Sequence, residues 1–380
     1  MKKVVAVLTA LCLLLTLFTA CNNSSATPTT AAQTTAATVT EGAAPPSTTA
    51  GSVGSTEQAT VPQRDLTGVA PVNLIFASVQ TAASVEPQAI VWFCDQVRER
   101  SEGLVTVEFF PDGVLANSDR LIVEQVMIGG SIDMAHVGPG IWGMAGGKIF
   151  DGWSMPYLVN NYDELEAVME EALFPYIMDG FLEMGVRPLW AHVGGARGIL
   201  SKTPINSVAD LQGKKWRVPD NRIFKEYVQT WGATALPVAP AEVYVAMQSG
   251  VVDTIDMAMP SILNNSWDEV AGYFSVTNHV NPIDIIGITE AKWQTIDPKL
   301  QEIILECGQE TQKYQLQLQR EYEEKDFKRF VERGGTLIEF TPEQMAEMRS
   351  MLDPMYANFN DEYDLTTILA SIEKATAKLK

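Results

Sequence analysis

The stretch GKKWRVPDN, residues 213–221, carries the most pointed chemical group in the chain. Arg217 sits between Trp216 and the pair Val218 and Pro219, in a run that reads as a buried strand. A guanidinium is almost never fully buried alone, because a low-dielectric interior penalises an uncompensated charge. The nearest carboxylate in sequence, Asp220, is placed to start the next helix. The counter-charge must come from elsewhere: from Asp253 or Asp256 on a following strand, or from a bound anion.

Other reactive residues are sparse. The three histidines, His136, His192 and His279, are widely spaced and read as packed strand residues. No HExxH, CxxC, GxSxG, Walker or GxGxxG pattern occurs, so nothing assembles a nucleophile with its base or a metal with its ligands. The expectation is a non-enzyme with no cofactor. GPGIWGMAGG (138–147) lacks the lysine and helix start of a phosphate loop. It is expected to be a cleft loop, with Gly138 and Pro139 letting backbone approach a ligand. Ser78 and Gln80, at the end of the first strand, offer polar contacts or loop capping. Trp142, Trp153, Trp190 and Trp216 are expected mainly in the core.

The elements that hold these residues alternate. VNLIFAS (72–78), VTVEFF (105–110), SIDMAHV (131–137) and VRPLWAHV (186–193) read as strands. Between them lie helical patterns, including one that puts Ile90, Phe93, Cys94 and Val97 on a single face. A second set follows: GARGILSK, KKWRVP, ALPV, VVDTIDM, YFSVTNHV and DIIGIT, with helices at 220–231 and over AEVYVAMQSG. Such alternation implies two α/β halves with mostly parallel sheets and a cleft at the strands' carboxyl ends, where ligands bind. Asp297 and Pro298 open a helix running to about Glu332, roughly 50 Å long at 1.5 Å per residue, long enough to cross between lobes. Thr341, Pro342 and Gln344 form a capping-box pattern for the last clear helix.

The ends set the compartment. Lys2 and Lys3 precede an apolar run ending in LFTAC, the layout of a secretory leader, residues 1–20, with Cys21 as a lipidation site. Ordinary cleavage nearby, leaving Cys21 a free thiol, is the other reading. Residues 21–66 are Ser, Thr, Ala, Gly and Pro for the most part, which reads as a disordered, lipid-anchored tether at the outer face of the cytoplasmic membrane. The chain has 27 Lys and Arg against 47 Asp and Glu, a net charge of −20. Loss of Lys2 and Lys3 with the leader makes it −22, which argues against nucleic acid as a partner. Of the four cysteines, Cys94 and Cys307 fall in the body and are expected as free buried thiols rather than a bridge.

The run DLQGKKWRVPDNRIFKEYVQTWGATALPVAPAEVYVAMQSGVVD (210–253) resembles the signature region of the DctP-type solute receptors of TRAP transporters. VTVEFFPDGVLA, QVMIGGSIDMA, TNHV and TLIEFTPEQMAEMR resemble further family segments in the same order, over about 70–360. The resemblance implies a two-lobed, periplasmic-binding-protein-like clamshell. Lobe I would comprise 67–194 and 283–320, and lobe II 195–282 and 321–380. It implies a receptor that binds a small organic acid between the lobes and hands it to a TRAP membrane permease driven by an ion gradient. It also implies that Arg217 forms a bidentate salt bridge to the ligand carboxylate, with Arg197 as a second cleft arginine. Met257, preceded by Asp256, stands where the family often has an amide contacting the ligand. Pro240 replaces a frequent Phe. A receptor of another transporter class, such as an ABC importer, or an outer-face enzyme are the competing readings.

Overall fold

The computed structural model describes residues 64–144 and 148–379. The leader, Cys21 and most of the tether lie outside the described residues. The body begins earlier than residue 67. Arg64 Nη2 pairs with Glu306 Oε1 at 2.5 Å, and Leu66 is buried beside Leu74 and Phe93. An apolar side chain with a place in the core is enough to order the segment that carries it.

The first half runs β1 (Val72–Ala77), α1 (Val85–Arg100), β2 (Val105–Phe110), α2 (Asp119–Met127), β3 (Met134–Val137), α3 (Pro139–Met144), α4 (Tyr162–Val168), α5 (Phe174–Glu183) and β4 (Val186–Val193). A π-helical turn, Met169–Leu173, joins α4 to α5. The second half begins with β5 (Arg197–Ser201), β6 (Lys215–Val218), α6 (Arg222–Thr230), β7 (Thr234–Pro237), α7 (Val243–Ser249), β8 (Thr254–Met257), α8 (Met259–Asn264) and β9 (Tyr273–Val280). Then follow β10 (Ile283–Thr289), α9 (Glu290–Trp293), α10 (Pro298–Glu332), β11 (Thr336–Glu339), α11 (Pro342–Ser350), α12 (Asp353–Tyr363) and α13 (Leu365–Thr376).

The strands form two sheets, ordered β2-β1-β3-β10-β4 and β11-β9-β5-β8-β6-β7. They are mixed rather than mostly parallel. In the first sheet β10 runs antiparallel to both β3 and β4; in the second β5 runs antiparallel to both β8 and β9. The reason is connectivity. A parallel neighbour needs a crossover of a dozen residues or more, usually a helix. β5 and β10 instead arrive straight from the other sheet through very short links, at Gly194–Ala196 and Asn281–Pro282. They therefore enter against the prevailing direction.

α10 runs from Pro298 to Glu332 as its cap signals require, with Asp297 Oδ1 accepting from the Lys299 amide at 2.9 Å. It closes the outer edge of β4 with side chains. Gln312 Oε1 accepts from the Ala191 amide, and Gln315 both accepts from and donates to the backbone of Val193, at 2.9 and 2.8 Å. Buried glutamines substitute here for a missing strand, which satisfies edge groups that would otherwise be orphaned.

The C-terminal part does not belong to one lobe. α12 packs on α6 and on the short helix Lys148–Ser154, and α13 packs on α4 and the π turn. The apolar stripe of α13, with Leu365, Ile368 and Ile372 buried, joins the same core as Leu165 and Phe181. Residues 353–376 therefore span both halves, and the assignment of 321–380 to lobe II is corrected accordingly. GPGIWGMAGG is not a loop throughout either: its Pro139–Met144 portion is α3. Trp142 within it is fully buried and donates to the Val137 carbonyl at 3.1 Å. Cys94 and Cys307 are unbridged, and burial pushes both thiols up to about 12.

Candidate functional site

Arg217 is the third residue of β6, a strand with Trp216, Arg217 and Val218 all buried. It is 5% exposed, and its Nε donates to the Val238 carbonyl at 2.8 Å. Among the described residues no carboxylate lies within ion-pair distance of it. Asp253 accepts instead from the Lys215 amide at 3.0 Å. Asp220 pairs with Lys225, and the helix cap is Asn221, whose Oδ1 accepts from the Ile223 amide at 2.9 Å. Burial, and then the neighbouring charge of Arg197, lower the Arg217 pKa to about 10. Two adjacent guanidiniums are thus balanced by one carboxylate.

That carboxylate is Asp256, and it belongs to Arg197. Arg197 Nε donates to Asp256 Oδ2 at 2.8 Å and its Nη2 to the Asp256 carbonyl at 2.6 Å. Trp216 Nε1 donates to Oδ1 at 3.0 Å, and the Tyr227 hydroxyl to Oδ2 at 2.8 Å. His279 Nε2 lies 3.3 Å from Oδ2, while its Nδ1 is 2.7 Å from the Thr277 hydroxyl. Burial opposes ionisation of Asp256, but the Arg197 charge and the His279 bond hold its pKa well below the usual carboxylate range. Asp256 is a structural anion at 1% exposure, not a group facing a ligand. The third arginine nitrogen, Nη1, remains at the rim, 3.1 Å from Met257 Sδ.

Strand direction explains why these residues meet. β6 and β8 are parallel and end at Val218 and Met257, while antiparallel β5 begins at Arg197 between β8 and β9. The start of β5 therefore lies with the carboxyl ends of its neighbours. In the other sheet Gln80, Gly194 and Asp284 mark the equivalent edge: just past β1, just past β4, and at the start of antiparallel β10. Between the two edges is a cavity of about 150 Å³ lined by Gln80, Glu86, Arg197, Met257 and Asp284, with Gln319 from α10. At ~30 Å³ per water it holds a handful of waters or one small solute.

Of the expected site residues, Arg197, Met257 and Gln80 reach this wall. Arg217 is not part of this wall, but it is close enough to Arg197 to feel its charge. Ser78 is fully buried, 3.3 Å from His136 Nδ1, and its Oγ accepts from the Gln80 amide, so it caps the strand end. Gly138 backs onto Asp284; a side chain there would meet Asp284 Oδ1 at 3.1 Å. Pro139 opens α3, and Pro240 opens the exposed 3-10 turn Pro240–Glu242 and is not among the cavity-lining residues. Glu86, Asp284 and Gln319 were not anticipated. Glu86 carried a signal, an acid at the start of an otherwise apolar helix face; Asp284 and Gln319 are assigned to the cavity only by the pairing of the two sheets.

Residues 76–362 match the family model described as bacterial extracellular solute-binding protein, family 7, the DctP family. This chain belongs to that family. The sialic acid-binding periplasmic protein of Vibrio cholerae is 26% identical over 281 residues, 74% of this chain and 86% of that relative. The C4-dicarboxylate-binding periplasmic protein of Rhodobacter capsulatus is 22% identical, over 81% of this chain and 92% of its own. Among solved structures, a TRAP periplasmic solute-binding protein from Roseobacter denitrificans, holding β-D-glucuronate, superposes with a TM-score of 0.72 at 26% identity. It covers 79% of this chain and 99% of its own. The family is one of receptors, not of enzymes. Among the described residues no helix is long and apolar enough to cross a membrane.

Proposed function

We propose that this DctP-family protein captures a small carboxylate in the cavity between its two sheets and delivers it to a TRAP-type permease. The observation that carries this is Arg217: a guanidinium only 5% exposed and, among the described residues, without a carboxylate of its own, next to Arg197, which lines a solute-sized cavity. A ligand carboxylate is the missing counter-ion, and a planar fork of donors suits it. Related receptors hold uronic acids and are named for sialic acid and C4-dicarboxylates, all carboxylates. Closure would be a hinge motion at the links Gly194–Ala196 and Asn281–Pro282, where the chain changes sheets.

The test is the solute that copurifies with native protein, released by denaturation and weighed by mass spectrometry. A carboxylate is expected; a neutral sugar or a lone cation would overturn the reading. Anchoring through a lipid on Cys21 is proposed from the sequence around it, which places the receptor at the outer face of the cytoplasmic membrane. Metabolic labelling with a fatty-acid analogue checks it, and unlabelled, freely released protein would count against the anchor.

A further inference from the structure

The cavity is charge-deficient at both ends, with opposite signs. On the β5–β8 side two guanidiniums, Arg197 and Arg217, face the single carboxylate of Asp256. On the β1–β10 side the imbalance is reversed. Glu86 and Asp284 both line the cavity, with Asp119 at the start of α2 close enough to feel Asp284. His136 is the basic group among them, its Nε2 3.4 Å from Asp284 Oδ2. Three carboxylates thus share one imidazole.

Glu86 makes the deficit specific. It is 9% exposed, sits on the cavity wall, and among the described residues no Lys or Arg pairs with it and no neighbour's side chain bonds it. The amino end of α1 supports its charge in part, since exposed amides there favour an anion. A buried carboxylate with only that support is costly unless a cation completes it. No group of three or more His, Cys, Asp or Glu side chains among the described residues is placed to hold a metal ion. The cation is better supplied by the ligand.

We infer that the ligand is a zwitterion, a carboxylate that also carries a protonated amine, with its acid toward Arg197 and Arg217 and its ammonium toward Glu86 and Asp284. This rests on the receptor reading above and narrows its substrate class. One doubly charged molecule then relieves both imbalances, and the polar Gln80, Ser84 and Gln319 on the same wall offer groups that can bond its skeleton.

The experiment is calorimetric titration of the full mature chain, freed of bound solute, with matched pairs differing only in amine or hydroxyl. Suitable pairs are alanine and lactate, serine and glycerate, glutamate and 2-hydroxyglutarate, glucosaminate and gluconate. The amine of the best-bound pair is expected at least about tenfold tighter, the order of one well-placed ion pair. Glu86→Gln and Asp284→Asn should each shrink that ratio. If wild type binds the hydroxy acid equally or better, the zwitterion is ruled out and the carboxylate receptor stands. If no carboxylate in either series binds, both readings fall. Because the wild-type ratio decides, misfolding of either variant does not rescue the idea.

Discussion

Arg197 and Asp256 are joined twice, side chain to side chain at 2.8 Å and side chain to backbone at 2.6 Å, across adjacent strands β5 and β8. This pair shapes the site and leaves only part of Arg197 for a ligand. It uses up Asp256, so the acid cannot neutralise Arg217, and it fixes Arg197 with one nitrogen still at the cavity rim. Tyr227, Trp216 and His279 complete the coordination of the acid.

Asp256→Ala should therefore be a folding mutation. Breaking a buried pair by removing one member costs about 3 to 5 kcal/mol, because the other charge is left stranded. In a body of this size that corresponds to a fall in Tm on the order of 10 °C. Thermal melts of ligand-free protein measure it. A change near zero would mean that Arg197 finds water in the cavity and that the pair is not structural.

Arg217 should behave in the opposite way. Its folded-state charge is already unfavourable, so Arg217→Ala is expected to leave the Tm of ligand-free protein unchanged or higher. Ligand affinity should fall by about 2 to 5 kcal/mol, roughly 30-fold to several thousand-fold in Kd. Arg217→Lys should recover part of this, since an ammonium cannot form a bidentate fork. Unfolding of the Ala variant with normal binding by its folded fraction would make Arg217 structural and sink the proposal.

The strand containing Arg217, the long helix and both caps were legible because each is a local signal: alternating apolar residues, Asp297 before Pro298, Thr341 three residues before Gln344. The absence of a local partner for Arg217 was legible for the same reason. What the sequence hid depends on strand direction. Nothing in ARGIL says that β5 runs antiparallel, yet that orientation brings Arg197 to Asp256 and opposes Arg217's claim on the same carboxylate. Glu86 and Asp284 are nearly 200 residues apart and meet through the order of β1, β3 and β10. The cleft-loop reading of GPGIWG failed because Trp142, once buried under β10, stabilises a helical turn that its glycines disfavour.

The acidic side of the cavity should make stability depend on pH. Burial, reinforced by Asp284 and opposed by His136, raises Asp119 to about 6. Below its ordinary value of 3.8 the carboxyl is protonated in both folded and unfolded chains, so it contributes no difference. Between 3.8 and about 6 the folded form binds more protons, so stability falls as pH rises and stays lower above that window. Glu86 and His136 are also shifted upward and act with the same sign. Asp119→Asn is expected to gain about 1 to 2 kcal/mol over wild type at pH 7 and little at pH 4. Melts of the two proteins across that range check this; an equal difference at both ends would rule out titration as its cause.

Gly308 provides a last test, of how α10 seats on the first sheet. In an exposed helix interior, Gly→Ala gains about 1 kcal/mol of helix propensity. Here a Cβ would lie 2.5 Å from Trp190 Cε3 and 3.0 Å from its Cδ2. Trp190 cannot yield, being fully buried with Phe93 at a 4.4 Å ring separation and its Nε1 donating to His192 Nε2 at 3.0 Å. Overpacking a rigid core typically costs about 1 to 3 kcal/mol, which offsets the propensity gain or exceeds it. Gly308→Ala should thus be neutral to clearly destabilising, whereas Gln309→Ala, one residue along on the exposed face, should change little. The same shift of α10 would pull Gln312 and Gln315 from the β4 edge, so amide exchange at Ala191 and Val193 should speed up in the Gly308 variant alone. A stabilised Gly308→Ala with unchanged exchange would show that the helix can ride away from the sheet, and that its close seat on Trp190 is not what fixes it.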